Sequence, residues 1–186
     1  MFFFVNTDNQ YGSPYAMQVW DKCYAYLTDS LFFASKVALE GVSRGGLYVF
    51  EWAKRNPAKV TCIYNEAPVC DINSWPAGKG KGKGKGKGDS ATWKQCKEVL
   101  KLTDETAAGY NDIPLKDLEG LASFKVPVLH VISNNDSVVP ADENTYPFIK
   151  NYTAYGGPAT VYPVTDGPQD LWAHHFSYYK GGRMLF

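Results

Sequence analysis

The stretch that organises this sequence is residues 37–46, Val-Ala-Leu-Glu-Gly-Val-Ser-Arg-Gly-Gly. A strand is predicted over residues 36–40, and a helix is predicted from residue 47 to residue 56, where Pro57 ends it. Between them stands a Gly-x-Ser-x-Gly pattern, which on a sharp strand-to-helix turn raises the serine hydroxyl above the sheet. We therefore predict that Ser43 is a nucleophile and that the N–H of Arg44 faces a developing oxyanion at the helix start.

The five-residue pattern also has a plainer interpretation. Glycine and serine are common, and an ordinary βα turn with a capping serine has the same letters. The nucleophile interpretation makes a further demand, because a strained backbone leaves no room for side chains at Gly41 and Gly45. The choice depends on whether an acid and a histidine follow at the right places.

An acid is expected after the serine and before the histidine. Asp136 follows the apolar run of residues 126–132, a predicted buried strand, and so lies at the sheet edge where Ser43 is expected. It either orients a histidine or closes the strand as an Asx-turn aspartate. Asp71, beyond the predicted strand at residues 60–64, is the competing acid.

The sequence has three histidines. His130 falls inside a predicted strand and is expected to pack in the core. His174 and His175 follow the last predicted strand, residues 159–164, and one of them is the predicted base, although the sequence does not choose between them. Adjacent histidines can also bind a metal, but no HExxH or similar spacing supports this, so no metal site is predicted.

Composition indicates one globular domain. The chain has 186 residues, of which 45% are apolar and 15% aromatic. Basic and acidic residues number 19 each, but five lysines fall in residues 79–87, so the remaining charge is 14 − 19, or −5. This balance argues against a nucleic-acid-binding face. No run reaches the roughly 18 to 20 apolar residues that span a bilayer, so we expect a soluble chain, in the cytoplasm or exported after removal of a signal.

The four cysteines form no CxxC pair and are expected to be free thiols. Strand-like runs alternate with segments of helical period, which predicts an α/β fold with a mostly parallel sheet. A further strand is predicted at residues 2–5. Further helices are predicted after Ser13-Pro14, after Ser90, and over residues 142–155, where Pro147 predicts either a kink or a late start.

Residues 78–88 alternate glycine and lysine, with glycine at every even position. This parity excludes G-x-x-x-x-G-K and G-x-G-x-x-G, so the run is not a phosphate-binding loop of either kind. We expect a flexible, solvated loop. A sharper hypothesis makes it part of a lid-like insertion, residues 72–110, whose lysines attract acidic substrates such as uronic-acid or sialic-acid esters.

Several stretches together resemble the alpha/beta-hydrolase superfamily, and more narrowly small bacterial serine hydrolases grouped with prolyl-oligopeptidase-like esterases. They are residues 37–46, Tyr-Gly-Ser-Pro at 11–14, Ala-Pro-Val-Cys-Asp at 67–71, Ser-Trp-Pro at 74–76, Asp-Ser-Val-Val-Pro at 136–140 and Glu-Asn-Thr at 143–145. The resemblance implies a single hydrolase domain over residues 1–186 and ester hydrolysis without a cofactor. It implies a triad of Ser43, Asp136 and either His174 or His175.

The chain departs from that pattern at both ends. In such folds about three strands precede the one predicted at residues 2–5, and the loop after the third supplies a second oxyanion donor. The family also closes with a helix after the histidine, whereas this chain stops at Phe186. We therefore expect an N-terminally incomplete hydrolase. The alternative function is a catalytically incomplete fragment that binds a ligand or partner through an unpaired sheet edge.

The expected substrate is a small-molecule or carbohydrate ester. Trp75 and Trp172 are predicted to line its pocket, and Trp93 is a weaker candidate, although aromatic residues in a chain this rich in them are more often core. Neither nucleic acid nor a membrane is an expected partner. A homo-oligomer is the expected consequence of an open sheet edge.

Overall fold

The computed structural model describes residues 1–83, 86–164 and His174, and its centre is a four-stranded sheet. The strands are β1 (Val37–Val42), β2 (Val60–Glu66), β3 (Val128–Ser133) and β4 (Ala159–Val164). They lie in the order β1-β2-β3-β4, and each pairs in parallel with the next. Because all four run the same way, their carboxyl ends share one edge of the sheet.

Six α-helices surround or connect the strands in the described ranges. They are α1 (Pro14–Ala25), α2 (Gly45–Arg55), α3 (Ser90–Leu100), α4 (Asp104–Ala107), α5 (Glu119–Ser123) and α6 (Thr145–Ala154). A π-helical turn, Tyr26–Ser30, extends α1, and a 3-10 turn, Pro57–Lys59, follows α2. The predicted helices are all present. Of the two alternatives for the last helix, the late start is observed: α6 begins at Thr145 rather than Asp142, and Pro147 is its third residue.

Local sequence explains where the first helix begins. The Ser13 hydroxyl accepts the N–H of Ala16 at 3.4 Å, and Pro14 occupies the first helical position, where its missing N–H costs nothing. The side chains of Trp20, Cys23 and Tyr24 in α1 are half-buried. Ala16 and Met17 form the fully covered part of α1 instead.

The core fixes α2 directly behind β1. Every residue of α2 from Gly46 to Ala53 is buried. Phe50 of α2 packs against Phe148 of α6 with ring centroids 4.2 Å apart, and Phe148 packs against Tyr152 at 5.5 Å. Aromatic pairs of this kind bury large areas, so the helix that follows Ser43 is rigidly held.

The strand predicted at residues 2–5 is wrong. These residues are coil, and Phe2 and Phe4 are 87% and 91% exposed. An apolar run becomes a strand only where a neighbour pairs with its backbone, and β1 pairs with β2 alone within the described ranges.

Two further findings concern membrane-spanning helices and the cysteine thiols. Within the described part of the chain, no helix combines the length and apolar character needed to cross a membrane. All four cysteines are free, as predicted: Cys23, Cys62, Cys70 and Cys96. Cys70 and Cys96 are buried, and burial raises the pKa of both thiols, that of Cys96 to about 12.

Candidate active site

Ser43 occupies the turn between β1 and α2. Its φ is 53°, in the left-handed region that few residues other than glycine adopt. Neighbouring backbone holds this conformation from both sides. The Ser43 N–H donates to the Glu66 carbonyl at 2.8 Å, and the Ser43 carbonyl accepts the N–H of Gly46 at 3.0 Å and of Val69 at 2.9 Å.

The glycines around Ser43 differ in their need to be glycine. A Cβ on Gly41 would collide with the Asn65 side chain, as predicted. The same prediction for Gly45 is wrong, because a Cβ there meets no described heavy atom within 4 Å. Gly46 is the other position that needs a glycine, because a Cβ there would lie 2.7 Å from the Pro68 Cβ.

A chain of short hydrogen bonds joins Ser43 to two distant residues. The Ser43 Oγ lies 2.7 Å from His174 Nε2, and His174 Nδ1 lies 2.6 Å from Asp136 Oδ2. Asp136 and His174 are only 5% and 2% exposed. A carboxylate accepts but does not donate, so it places the proton on Nδ1 and leaves Nε2 to accept the Ser43 hydroxyl.

Asp136 meets both descriptions given for it above. Its Oδ1 accepts the N–H groups of Val138 at 2.8 Å and Val139 at 2.9 Å, which is the turn-closing role. Its Oδ2 holds the imidazole. The turn therefore fixes the carboxylate that faces His174. In contrast, no side chain caps α2, so the capping-serine interpretation of Ser43 is wrong.

Asp71, the competing acid, is engaged elsewhere. Its Oδ1 accepts the backbone N–H of Asn73 at 2.8 Å and the Asn73 side-chain amide at 3.2 Å. Burial raises the pKa of Asp71, and its hydrogen bonds to Asn73 oppose that rise. The structure brings Asp136, and not Asp71, to the histidine.

His130 is a core residue, as predicted. It is fully buried, with Nδ1 3.1 Å from the Thr145 hydroxyl and its ring 5.1 Å from that of Phe148. Burial lowers the pKa of His130 to about 3, which keeps the imidazole neutral. It lies away from the hydrogen-bonded chain at Ser43.

Arg44 places a cation beside the serine. Its half-buried side chain lies with the guanidinium carbon 6.0 Å from the Tyr11 ring centroid and 5.9 Å from the Trp75 ring centroid. Burial raises the pKa of Tyr11, while the nearby Arg44 charge lowers it in part. No carboxylate of the described residues lies within 4.0 Å of the guanidinium.

The described part of the Gly-Lys run packs against the loop that follows Asp136. Cβ atoms on Gly80 or Gly82 would collide with Glu143, and the Gly82 N–H donates to Glu143 Oε1 at 3.1 Å. The Lys87 N–H donates to the Ser137 carbonyl at 2.8 Å. The run is therefore not solvated on every side, and its flexibility stays a prediction.

The described lysines of the run, Lys79, Lys81, Lys83 and Lys87, are exposed. Lys79 lies 3.7 Å from Asp104 and over the Trp93 ring at 5.7 Å. Lys83 lines a cavity of about 280 Å³ together with Asp136. The alternation of glycine and lysine in the sequence is the feature from which this arrangement could have been predicted.

A buried polar network supports the loop that follows β3 and contains Asp136, and no function was predicted for its members Ser74, Glu143 and Asn144. Glu143 Oε2 accepts the Ser74 hydroxyl at 2.6 Å, and Asn144 Nδ2 donates to the same Ser74 oxygen at 2.9 Å. Asn144 Oδ1 accepts the N–H groups of Cys70 at 2.8 Å and Asp71 at 3.1 Å. The network ties the segment after β2 to the segment after β3.

Some predicted site residues lie outside the described residues, namely His175 and Trp172. Trp75 is half-buried beside Arg44, and Trp93 is buried in the core. Among residues 1–83, 86–164 and 174, no group of three or more His, Cys, Asp or Glu is placed to hold a metal ion.

Solved structures share this arrangement of strands and helices. A Mycobacterium tuberculosis puromycin-hydrolyzing peptidase matches with a TM-score of 0.67 at 15% identity, over 90% of this chain and 23% of its own. A Pyrococcus horikoshii acylaminoacyl peptidase matches with a TM-score of 0.62 at 17% identity, over 92% and 27%. A Pyrococcus furiosus esterase matches with a TM-score of 0.56 at 15% identity, over 94% and 60%.

No family model matches the sequence, and no match was found among curated proteins. The chain spans about a quarter of each peptidase and 60% of the esterase. By their names, these structural neighbours are peptidases and an esterase. The chain therefore has the α/β-hydrolase fold, with a parallel sheet and flanking helices.

Proposed function

We propose that this protein is a serine hydrolase in which Ser43 is the nucleophile, His174 the base and Asp136 the acid that orients the base. One observation carries the proposal: the continuous line from Ser43 Oγ through His174 to Asp136, with bonds of 2.7 and 2.6 Å. Nucleophile and base within hydrogen-bond reach, with the base oriented by a third group, are the geometric signature of an activated serine.

The proposed reaction follows from the hydrogen positions that this line requires. As the Ser43 oxygen attacks an acyl carbonyl carbon, its proton passes to His174 Nε2. Asp136 stays ionised and stabilises the imidazolium. The proton then moves to the leaving oxygen as its bond to the acyl carbon breaks. Water, deprotonated by the same imidazole, attacks the acyl-enzyme and releases the acid and free Ser43.

The Arg44 N–H is the proposed oxyanion donor. It lies at the start of α2, an 11-residue helix whose N-terminal end favours negative charge. A Cβ on Gly45, two residues after Ser43, would meet no described heavy atom within 4 Å, which supports room for a substrate on that side of the turn. Each oxyanion donor contributes about 10²- to 10³-fold to the rate in a hydrolase of this chemistry.

We propose a carboxylic ester as the substrate. Alkoxide leaves a tetrahedral intermediate more readily than amine does, so an ester suits a site to which we assign a single oxyanion donor. Peptide hydrolysis is the second candidate, because two of the structural neighbours are peptidases by name. An incomplete hydrolase that only binds a ligand is the remaining alternative.

Matched substrates separate these candidates. The two compounds are 4-nitrophenyl butyrate and butyryl 4-nitroanilide, which share an acyl group and differ in the leaving atom. We expect turnover of the ester, slower turnover of the anilide, and a loss of at least about 10³-fold in kcat for Ser43→Ala. A faster anilide reaction would establish the peptidase instead. Ester turnover that Ser43→Ala leaves unaltered, or none by folded protein, would overturn the proposal.

A further inference from the structure

We propose that Arg44 recognises a carboxylate carried by the ester substrate, and so makes the site selective for anionic esters. This inference rests on the proposed role of Ser43, because Arg44 is the next residue in the chain. It concerns the Arg44 side chain, whereas the oxyanion role belongs to its backbone N–H. The substrate class it names is an ester with a free carboxylate on its acyl or alcohol portion.

The first observation is where the guanidinium sits. Ser43 and Arg44 together form the turn between β1 and α2, so the Arg44 side chain starts one residue from the proposed nucleophile. It is half-buried, with the Tyr11 ring 6.0 Å away and the Trp75 ring 5.9 Å away. Tyr11 is itself anchored, since its hydroxyl donates to Gln95 Oε1 at 2.8 Å.

The second observation is the charge balance. Two other half-buried cations of the described residues have carboxylate partners: Lys54 lies 2.7 Å from Glu51, and Lys97 lies 2.8 Å from Asp104. A third, Lys59, lies over the Tyr24 and Trp52 rings at the opposite end of the strands from Ser43. Arg44 has no carboxylate partner within 4.0 Å among the residues described. A cation removed from water without a counter-ion is unfavourable, and aromatic faces offset only part of that cost.

The third observation is what remains available on the guanidinium. It carries five N–H donors in a planar fork that matches a carboxylate bidentately. Aromatic faces attract the charge of the guanidinium but do not themselves satisfy its N–H donors. Gly45, the next residue, opens onto space in which a Cβ meets no described atom within 4 Å. A substrate carboxylate that enters beside Ser43 meets oriented donors there.

A purely structural role for Arg44 makes a different prediction. If the guanidinium only pins Trp75 to Tyr11, its loss disturbs anionic and neutral substrates alike. A recognition role changes the ratio between them. The measured quantity is therefore kcat/KM for the anionic ester divided by kcat/KM for its neutral twin, which cancels any loss that both substrates share.

The substrates are mono-4-nitrophenyl adipate and its methyl ester, which differ only in the distal carboxylate. We expect the protein to prefer the anionic ester by about tenfold or more, and Arg44→Met to lower the ratio by about 10- to 100-fold. Arg44→Lys keeps the charge without the planar fork, so its ratio should lie between the two. An unaltered ratio in Arg44→Met would overturn the inference.

Lys59→Met is the matched control. Lys59 is also half-buried over two aromatic rings, those of Tyr24 at 4.5 Å and Trp52 at 5.9 Å. It precedes β2 and so lies at the opposite end of the strands from Ser43. Its removal should leave the ratio at the value of the unmodified protein. A change equal to that of Arg44→Met would show that any nearby cation acts through long-range charge.

Binding measured without turnover separates this inference from the proposed function. Calorimetric titration of Ser43→Ala should give a Kd for monomethyl adipate at least about tenfold lower than for dimethyl adipate, and adding Arg44→Met should remove the difference. Equal affinities, or no measurable binding, would overturn the inference. Equal turnover of both nitrophenyl esters would refute the inference and leave the hydrolase standing. Selective binding without any turnover would refute the hydrolase alone.

Discussion

Ser43 combines backbone strain with proposed chemistry in a single residue. A non-glycine residue at a φ of 53° costs on the order of 1 to 3 kcal/mol, and the backbone bonds to Glu66, Gly46 and Val69 offset that cost. The Ser43 hydroxyl oxygen lies 2.7 Å from His174 Nε2. Substitutions of Ser43 can therefore distinguish the effect of its left-handed backbone conformation from the effect of its hydroxyl group.

Ser43→Gly should be more stable than Ser43→Ala by about 1 to 2 kcal/mol. Both variants lack the hydroxyl, but only glycine adopts the left-handed region without strain. Urea unfolding of the two variants at one pH measures the difference in the free energy of unfolding. Equal stabilities would show that the turn is not strained at this position.

Asp136→Asn should lower kcat for the ester by about 10⁴-fold with little change in stability. The Asn amide oxygen can still accept the N–H groups of Val138 and Val139, but its amide group favours the wrong tautomer of His174. Steady-state kinetics measure the loss in kcat, and thermal unfolding of the same preparation measures the change in stability. Full activity in Asp136→Asn would refute the assigned acid.

Glu51 predicts a pH effect on stability that is independent of the site. Burial raises its pKa from 4.5 to about 7, although Lys54 lies 2.7 Å away and opposes the rise. Between pH 4.5 and pH 7 the folded state binds more protons than the unfolded state at this group. Its contribution to the free energy of unfolding therefore falls as pH rises through that window and stays low above it.

Glu51→Gln removes this titration. Relative to the unmodified protein, the variant should gain about 1 to 3 kcal/mol of stability between pH 4.5 and pH 8. Urea unfolding at the two pH values gives the gain, and Glu98→Gln, at an exposed position, is the control. A parallel pH dependence in Glu51→Gln and the unmodified protein would contradict the raised pKa.

At the level of elements, the contact between α2 and the segment after β2 sets the angle of the serine turn. Gly46 makes that contact, because its Cβ would lie 2.7 Å from Pro68 Cβ and 2.8 Å from the Val69 carbonyl oxygen. Gly45, one position earlier in the same helix, has open space instead. The close contact therefore requires a glycine at position 46, whereas position 45 has room for a larger residue.

Gly45→Ala should be neutral or stabilising by up to about 1 kcal/mol, because alanine favours helix and meets no neighbour. Gly46→Ala should destabilise by about 1 to 3 kcal/mol, because α2 must shift away from Pro68. Thermal or urea unfolding of the pair tests the contact. Equal effects of the two substitutions would show that the turn adapts freely.

The strands, most helix bounds and the serine turn could be predicted because periodicity and capping are local. Ser13-Pro14 marks the start of α1, and Pro147 lies in the first turn of α6. Residues 2–5 could not be assigned, since an apolar run does not say whether a neighbouring strand will pair with it. The space around Gly45 and the hydrogen bonds of Glu143 to Ser74 and Gly82 could not be predicted either, because they depend on segments distant in sequence.

Across the whole molecule, the parallel sheet is what brings the three proposed triad members together. Ser43 follows β1 and Asp136 follows β3, and 131 residues separate Ser43 from His174. Their assembly is a property of the shared carboxyl edge and not of any local motif. The same fold hosts peptidases and esterases among its neighbours, so the fold alone does not choose the substrate.

The central claim is that Ser43 is an activated nucleophile, and covalent labelling tests it most directly. Folded protein is treated with a fluorophosphonate and the adduct is located by peptide mass spectrometry. The account predicts one adduct, on Ser43, that forms far more slowly in His174→Ala and not at all in Ser43→Ala. Folded protein that takes up no label at Ser43, or labels equally fast without His174, would contradict the account.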